Sequence, residues 1–156
     1  MTYNEIQQRI IKLFENTNFA TFATANRQGI VSTAQMCLIN DGLMVFMQTD
    51  KKFEKIRNIM ENPNVAINIG AFNFKGLAKL VGHPSLNAAF VEKLKAKHFK
   101  TYEHYTNLKD EELIEIKLVE ARIWGVDNNK EINNQETVLV VDLKNKTTRT
   151  IVCDKM

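Results

Sequence analysis

Apolar positions recur along this chain with two periods, one near 3.6 and one near 2, and the switches between them mark out its elements. Thr2-Tyr3-Asn4-Glu5 has the spacing of a capping box, after which Ile6, Ile10, Leu13 and Phe14 form one helical stripe that Asn16 to Asn18 ends. Residues 19–25, Phe-Ala-Thr-Phe-Ala-Thr-Ala, carry aromatic and β-branched side chains and no charge, which predicts a strand. A turn cluster, Asn26-Arg27-Gln28-Gly29, leads to a second strand over 30–39. Asn40-Asp41-Gly42 is a hairpin signal, and 43–49 reads as the returning strand. Three strands in succession with short turns predict an antiparallel meander.

From Asp50 the period lengthens. Phe53, Ile56, Ile59 and Met60 share one helical face, with Asp50 as the expected N-cap and Asn62-Pro63 as the stop. Alternation returns over 64–71 and again over 76–82. Pro84-Ser85 opens another helix, with Leu86, Ala89, Phe90 and Leu94 on its inner face. Residues 101–107 read as irregular, 109–113 as a helical turn, 115–126 as a long strand and 128–135 as a polar loop. Residues 137–143 and 148–152 read as a closing hairpin. About eight strands and three helices, without regular strand–helix alternation, predict a mainly β protein, a barrel or sandwich of antiparallel strands with peripheral helices.

Composition narrows the function classes. The chain has 156 residues, enough for one domain over 1–156, with 44% hydrophobic and 25% charged residues and a formal charge of +3. That charge is too small and too mixed to imply nucleic acid. No stretch approaches a membrane-spanning helix and no signal-peptide pattern opens the chain, so a cytoplasmic protein is expected. Cys37 and Cys153 have no ligand partners nearby, and His83, His98 and His104 lack zinc spacing, so no metal site is expected. The dinucleotide fingerprint, the phosphate loop and the serine elbow are all absent. Asp110-Glu111-Glu112 reads as a solvated charge run. Lys51, Lys52 and Lys55 are more pointed: they flank a helix start just after a strand, where free amides favour an anion.

The order of Phe19-Ala-Thr-Phe-Ala-Thr24, a turn at Gly29, a strand, Asp41-Gly42, Leu43 to Thr49-Asp50, Lys55-Ile-Arg-Asn-Ile and Asn62-Pro63-Asn-Val-Ala resembles the pyridoxamine 5′-phosphate oxidase-like family of FMN-binding split β-barrels. The resemblance covers about half the chain, residues 5–82. It implies an FMN-binding protein, a flavin-dependent oxidoreductase in the cytoplasm, with the cofactor at a homodimer interface. It implies a small-molecule substrate and a nicotinamide as candidate reductant, with no named catalytic acid or base; the composition points to no nucleic acid and no membrane. By the same resemblance Gln35, Met36 and Cys37 line the flavin, partly through backbone. Gln48 and Thr49 reach the ribityl-phosphate region, Lys55 grips the phosphate with Lys51 and Lys52 as further candidates, and Trp124 approaches the partner subunit's flavin. The chain departs from the family in having Phe53-Glu54-Lys55 for Ser-Arg-Lys and Gln35 where an Arg is common. Arg149 is followed by Thr150-Ile151, without the Arg-x-His that holds pyridoxal phosphate, so vitamin B6 oxidation is not expected. The alternatives are a split-barrel binding or sensing protein that has lost tight flavin binding, and a relative that binds haem, with His83 or His98 as axial ligand, or deazaflavin.

Overall fold

The computed structural model describes residues 1–125 and 136–153. Helix α1 (Tyr3–Asn16) carries the expected capping box, and Ile6, Ile10 and Phe14 are buried. Strands β1 (Phe19–Ala25) and β2 (Val31–Cys37) form a hairpin in register from Phe19 opposite Cys37 to Ala25 opposite Val31. The strand expected over 30–39 is not continuous. It breaks at Leu38, and Ile39–Asp41 is a separate strand, β3, paired with β4 (Met44–Asp50). The expected meander is therefore corrected: β2 and β3 lie at opposite ends of the strand order β2-β1-β5-β6-β7-β4-β3. Leu38 is fully buried, and its amide bonds to the Asn18 carbonyl. At this corner the chain leaves one partner strand and takes up another, with buried apolar residues on both sides of the break.

Helix α2 (Glu54–Glu61) starts later than expected. Phe53, not Asp50, is the N-cap, and no side chain caps it. Asp50 instead accepts from the Lys52 amide with its own carboxylate. Ile56 and Ile59 face the core, whereas Phe53 and Met60, expected on that stripe, are exposed. Asn58 is buried among them, and its amide donates to Thr24 Oγ1 at 3.0 Å, which ties the helix to β1. Strands β5 (Asn64–Ile69) and β6 (Phe72–Leu80) form the next hairpin, and β6 begins four residues before its expected start.

Pro84–Leu86 is a single 3-10 turn, and the true helix is α3 (Ala88–Lys97), capped by Asn87. Phe90 and Leu94 are buried as expected, but Leu86 is exposed. Residues 101–107 are more regular than expected: α4 (Phe99–Thr101) runs into a π-helical turn over Tyr102–Thr106. The helical turn expected over 109–113 is also corrected, because β7 (Glu111–Trp124) begins there. Its first half pairs with β4 and its second half with β8 (Thr137–Asp142), while β6 runs along its other edge. Strand β9 (Thr147–Val152) completes the final hairpin. The loop expected over 128–135 lies outside the described residues.

The result is a mainly antiparallel β split barrel of nine described strands with four helices. One core fills it, from Phe14 on α1, whose ring lies 5.1 Å from that of Phe74, through Phe22, Met47, Ile67 and Ile116 to Leu139 and Val141. A smaller cluster of Ile39, Phe90, Leu94 and Leu113 seats α3 on the outside of the β3–β4–β7 wall.

Candidate functional site

The alternation of side chains along β2 sorts the expected flavin-lining residues. Met36 faces the core and is 8% exposed, so it can offer a ligand little beyond backbone. Gln35 faces outward, where its Nε2 donates to Thr21 Oγ1 at 2.7 Å. Cys37 is half-buried on that same outward face, with Sγ 3.6 Å from Thr101 Oγ1. Strand β4 divides likewise. Thr49 is buried, whereas Gln48 points to the other side and accepts from Thr106 Oγ1 at 3.2 Å. Two threonines of the Phe99–Thr106 segment thus meet the two outward-facing candidates, Cys37 and Gln48. No pattern in the residues signals this, because the segment is aperiodic.

The start of α2 holds the expected anion grip, with a different charge balance. Lys55 is half-buried, and its ammonium lies 5.2 Å from the centroid of the Phe53 ring. Burial pushes its pKa down, and the charge of Glu54 partly offsets this. Lys51 and Lys52 do not join it. Lys51 Nζ lies 3.7 Å from Glu112, and Lys52 Nζ lies 3.3 Å from Asp50 and 3.0 Å from Asp110. Glu54, at the first position of α2, accepts a hydrogen bond from Ser32 of β2. Ser32 was not among the expected site residues, and its spacing gives no hint of the role. The three lysines therefore stand among four carboxylates, Asp50, Glu54, Asp110 and Glu112, and the surplus read from the sequence is offset in space. A flavin mononucleotide requires a seat for its phosphate. Lys55 and the first amides of α2, free of any side-chain cap, fit one; Lys51 and Lys52 are committed elsewhere.

The run Asp110-Glu111-Glu112 is not the solvated face expected of it. Glu111 and Glu112 are 5% and 7% exposed. Glu112 accepts from the Gly82 amide at 2.9 Å, whereas one oxygen of Glu111 is buried without a hydrogen-bond partner among the described residues. Burial raises the pKa of Glu111, Asp50 opposite it on β4 raises it further, and His83 pulls the other way. A raised pKa means that the folded state holds its proton more tightly than the unfolded chain. The stability this contributes is complete below the ordinary glutamate range and is lost as pH rises through the raised value. Glu111→Gln should accordingly melt higher than the wild type at neutral pH, with the gap closing in acid. Melting curves across that range check this, and a variant that trails the wild type at every pH would show the carboxylate held ionised.

Trp124 ends β7, opposite Val138, and is 48% exposed. Twelve residues of strand separate it from Glu112, on the order of 40 Å along the chain at about 3.3 Å per residue. One protomer does not bring it to the start of α2. Both ring nitrogens of His83 are engaged, at 2.7 Å with Ser85 Oγ and 2.8 Å with the Leu108 carbonyl. His98 Nε2 is buried without a hydrogen-bond partner among the described residues. Among the described residues no group of three or more His, Cys, Asp or Glu side chains is placed to hold a metal ion, and no helix is long and apolar enough to cross a membrane.

Comparison with known proteins agrees with this architecture. Solved structures of similar fold include general stress protein 26 of Bacillus anthracis, 20% identical over 75% of this chain and 92% of that one, with a TM-score of 0.62. The heme storage protein HutZ of Vibrio cholerae is 15% identical over 76% and 91%, with a TM-score of 0.61. ChuZ of Campylobacter jejuni is 12% identical, with a TM-score of 0.72; the match covers 93% of this chain and 62% of ChuZ. At these identities the likeness is one of fold. No curated protein matches the sequence. The family model described as pyridoxamine 5′-phosphate oxidase matches residues 6–125, from α1 to just past the end of β7. With that span and this barrel, the chain belongs to the pyridoxamine 5′-phosphate oxidase family of split barrels, at a distance from its characterised oxidases.

Proposed function

We propose that this chain is an FMN-binding split barrel that serves as a flavin-dependent oxidoreductase on a small molecule, reduced by a nicotinamide, with the cofactor cleft completed by a second copy of the chain. The observation that carries the reading is the half-buried Lys55 at the uncapped start of α2, immediately beyond the buried Thr49 of β4, inside the span of the family match. Bound FMN would supply the hydride or electron transfer. The residues of the chain bind and orient: Lys55 and the α2 amides seat the phosphate, while Gln35 and Cys37, on the face of β2 opposite Ser32, and Gln48, against Thr106, are offered to the rest of the ligand. Trp124, far from α2 within its own chain, is offered to the partner's cleft.

A purified protein with the yellow colour of oxidised flavin, or one whose melting temperature rises with added FMN, is the expected result. Lys55→Ala should weaken FMN binding about ten- to a hundredfold, the range for losing a charged hydrogen-bonding partner. A colourless protein that FMN does not stabilise would overturn the reading. It would favour the second one, a split-barrel binding or sensing protein without tight flavin binding. The carboxylates around Lys51 and Lys52 and the bond between Glu54 and Ser32 speak for that alternative.

A further inference from the structure

The contact between Glu54 and Ser32 joins two elements 22 residues apart, the first turn of α2 and the edge strand β2, which among the described residues pairs only with β1. It fixes a carboxylate at the helix end whose free amides and Lys55 would meet an anion. Three observations make that charge count. Glu54 directly precedes Lys55 on the helix, and its charge partly offsets the lowering of the Lys55 pKa by burial. Lys51 and Lys52 lie against Glu112, Asp50 and Asp110, which offset their charge. Arg57, the next cation on the helix, donates to the Lys52 carbonyl at 3.3 Å and so is turned back along the chain. A phosphate dianion seated here would lie beside a fixed negative charge, whereas an uncharged group of similar shape would not.

We propose that Glu54, held by Ser32, is a specificity-determining residue that weakens the hold of Lys55 and the α2 amides on a phosphate dianion, so that this cleft discriminates little between the mononucleotide and a flavin lacking the phosphate. This rests on the flavin reading above and assigns the chemical class of ligand within it. The like-charge penalty acts only on the phosphorylated ligand, because the ring and ribityl chain are common to both. At an exposed helix end the penalty is screened by salt, which gives it a second signature.

The test is a fluorescence titration of riboflavin and of FMN against the wild type, Glu54→Gln and Ser32→Ala. Glu54→Gln removes the charge and keeps the shape. It should tighten FMN about tenfold at low salt, as expected for one charge near a phosphate at a solvated site, and leave riboflavin within about twofold. The gain should shrink as salt is added. Ser32→Ala frees the carboxylate to swing into water and should recover part of the gain. Glu54 is exposed, so the melting temperature of Glu54→Gln without ligand should fall by no more than about 2–3 °C, which separates a binding effect from a folding one. Equal shifts for both ligands, or a wild type that prefers FMN strongly and loses nothing to Glu54, would overturn the assignment and leave the flavin reading standing. If neither flavin binds any of the three proteins, both fall together.

Discussion

Phe14→Ala should lower the melting temperature by on the order of 10 °C, the largest effect expected of any single truncation here. Phe14 is fully buried on α1, and its ring packs against Phe74 of β6 in the centre of the barrel. Truncating a buried phenylalanine costs about 3–5 kcal/mol, transfer and cavity together. That is a large part of the roughly 5–15 kcal/mol that stabilises a domain. The surrounding strands are tied by ladder hydrogen bonds and can collapse only slightly into the space. Phe14→Leu keeps most of the volume and should cost less than about 1.5 kcal/mol. Thermal or urea melts of the two variants decide the matter. If both melt close to the wild type, α1 does not plug the barrel in solution.

The second large effect is expected at Gly76. It lies where the register of β6 against β7 shifts between Lys75 and Gly76. A Cβ built there would stand 2.8 Å from the Ile116 methyl and 3.0 Å from the Lys117 carbonyl. The methyl could rotate aside, but the carbonyl belongs to the ladder and cannot. Gly76→Ala should cost about 1–3 kcal/mol by overpacking, and Gly76→Val more. The loss should show in melts of the variant as a clear drop with an unchanged far-ultraviolet spectrum. A Gly76→Ala protein as stable as the wild type would mean that the two strands stand farther apart than this register allows.

Most of the architecture was legible in the residues because its cause is local. The capping box at Thr2, the Asp41-Gly42 hairpin and the Asn62-Pro63 stop each depend on a few neighbours, and each stands where its chemistry predicts. The break at Leu38 was not legible. Residues 30–39 contain neither glycine nor proline, and the change of partner strand is decided by β1 and β4, not by the segment itself. The run at 110–112 failed for a related reason: three consecutive acids look solvated until Gly82, Lys51 and Lys52 come up against them in the fold. The candidate site shows the same division. Lysine spacing at the start of α2 was visible, and so was the position of Lys55. What offsets the cluster was not, since Lys52 and Asp110 are 58 residues apart in the chain.

The pairing of β4 with β7 has a consequence for how the site comes into being. Hairpins β1–β2, β3–β4 and β5–β6 join near neighbours and can form early, whereas the β4–β7 register joins residues about sixty to seventy apart. Its loop-closure entropy is met only after the intervening hairpins have shortened the effective distance. That ladder also carries Lys51 and Lys52 to their acids. During folding the lysines at the start of α2 are therefore opposed only by the adjacent Asp50 and Glu54, and the surface that an anion in the medium meets is more positive before the barrel has closed than after.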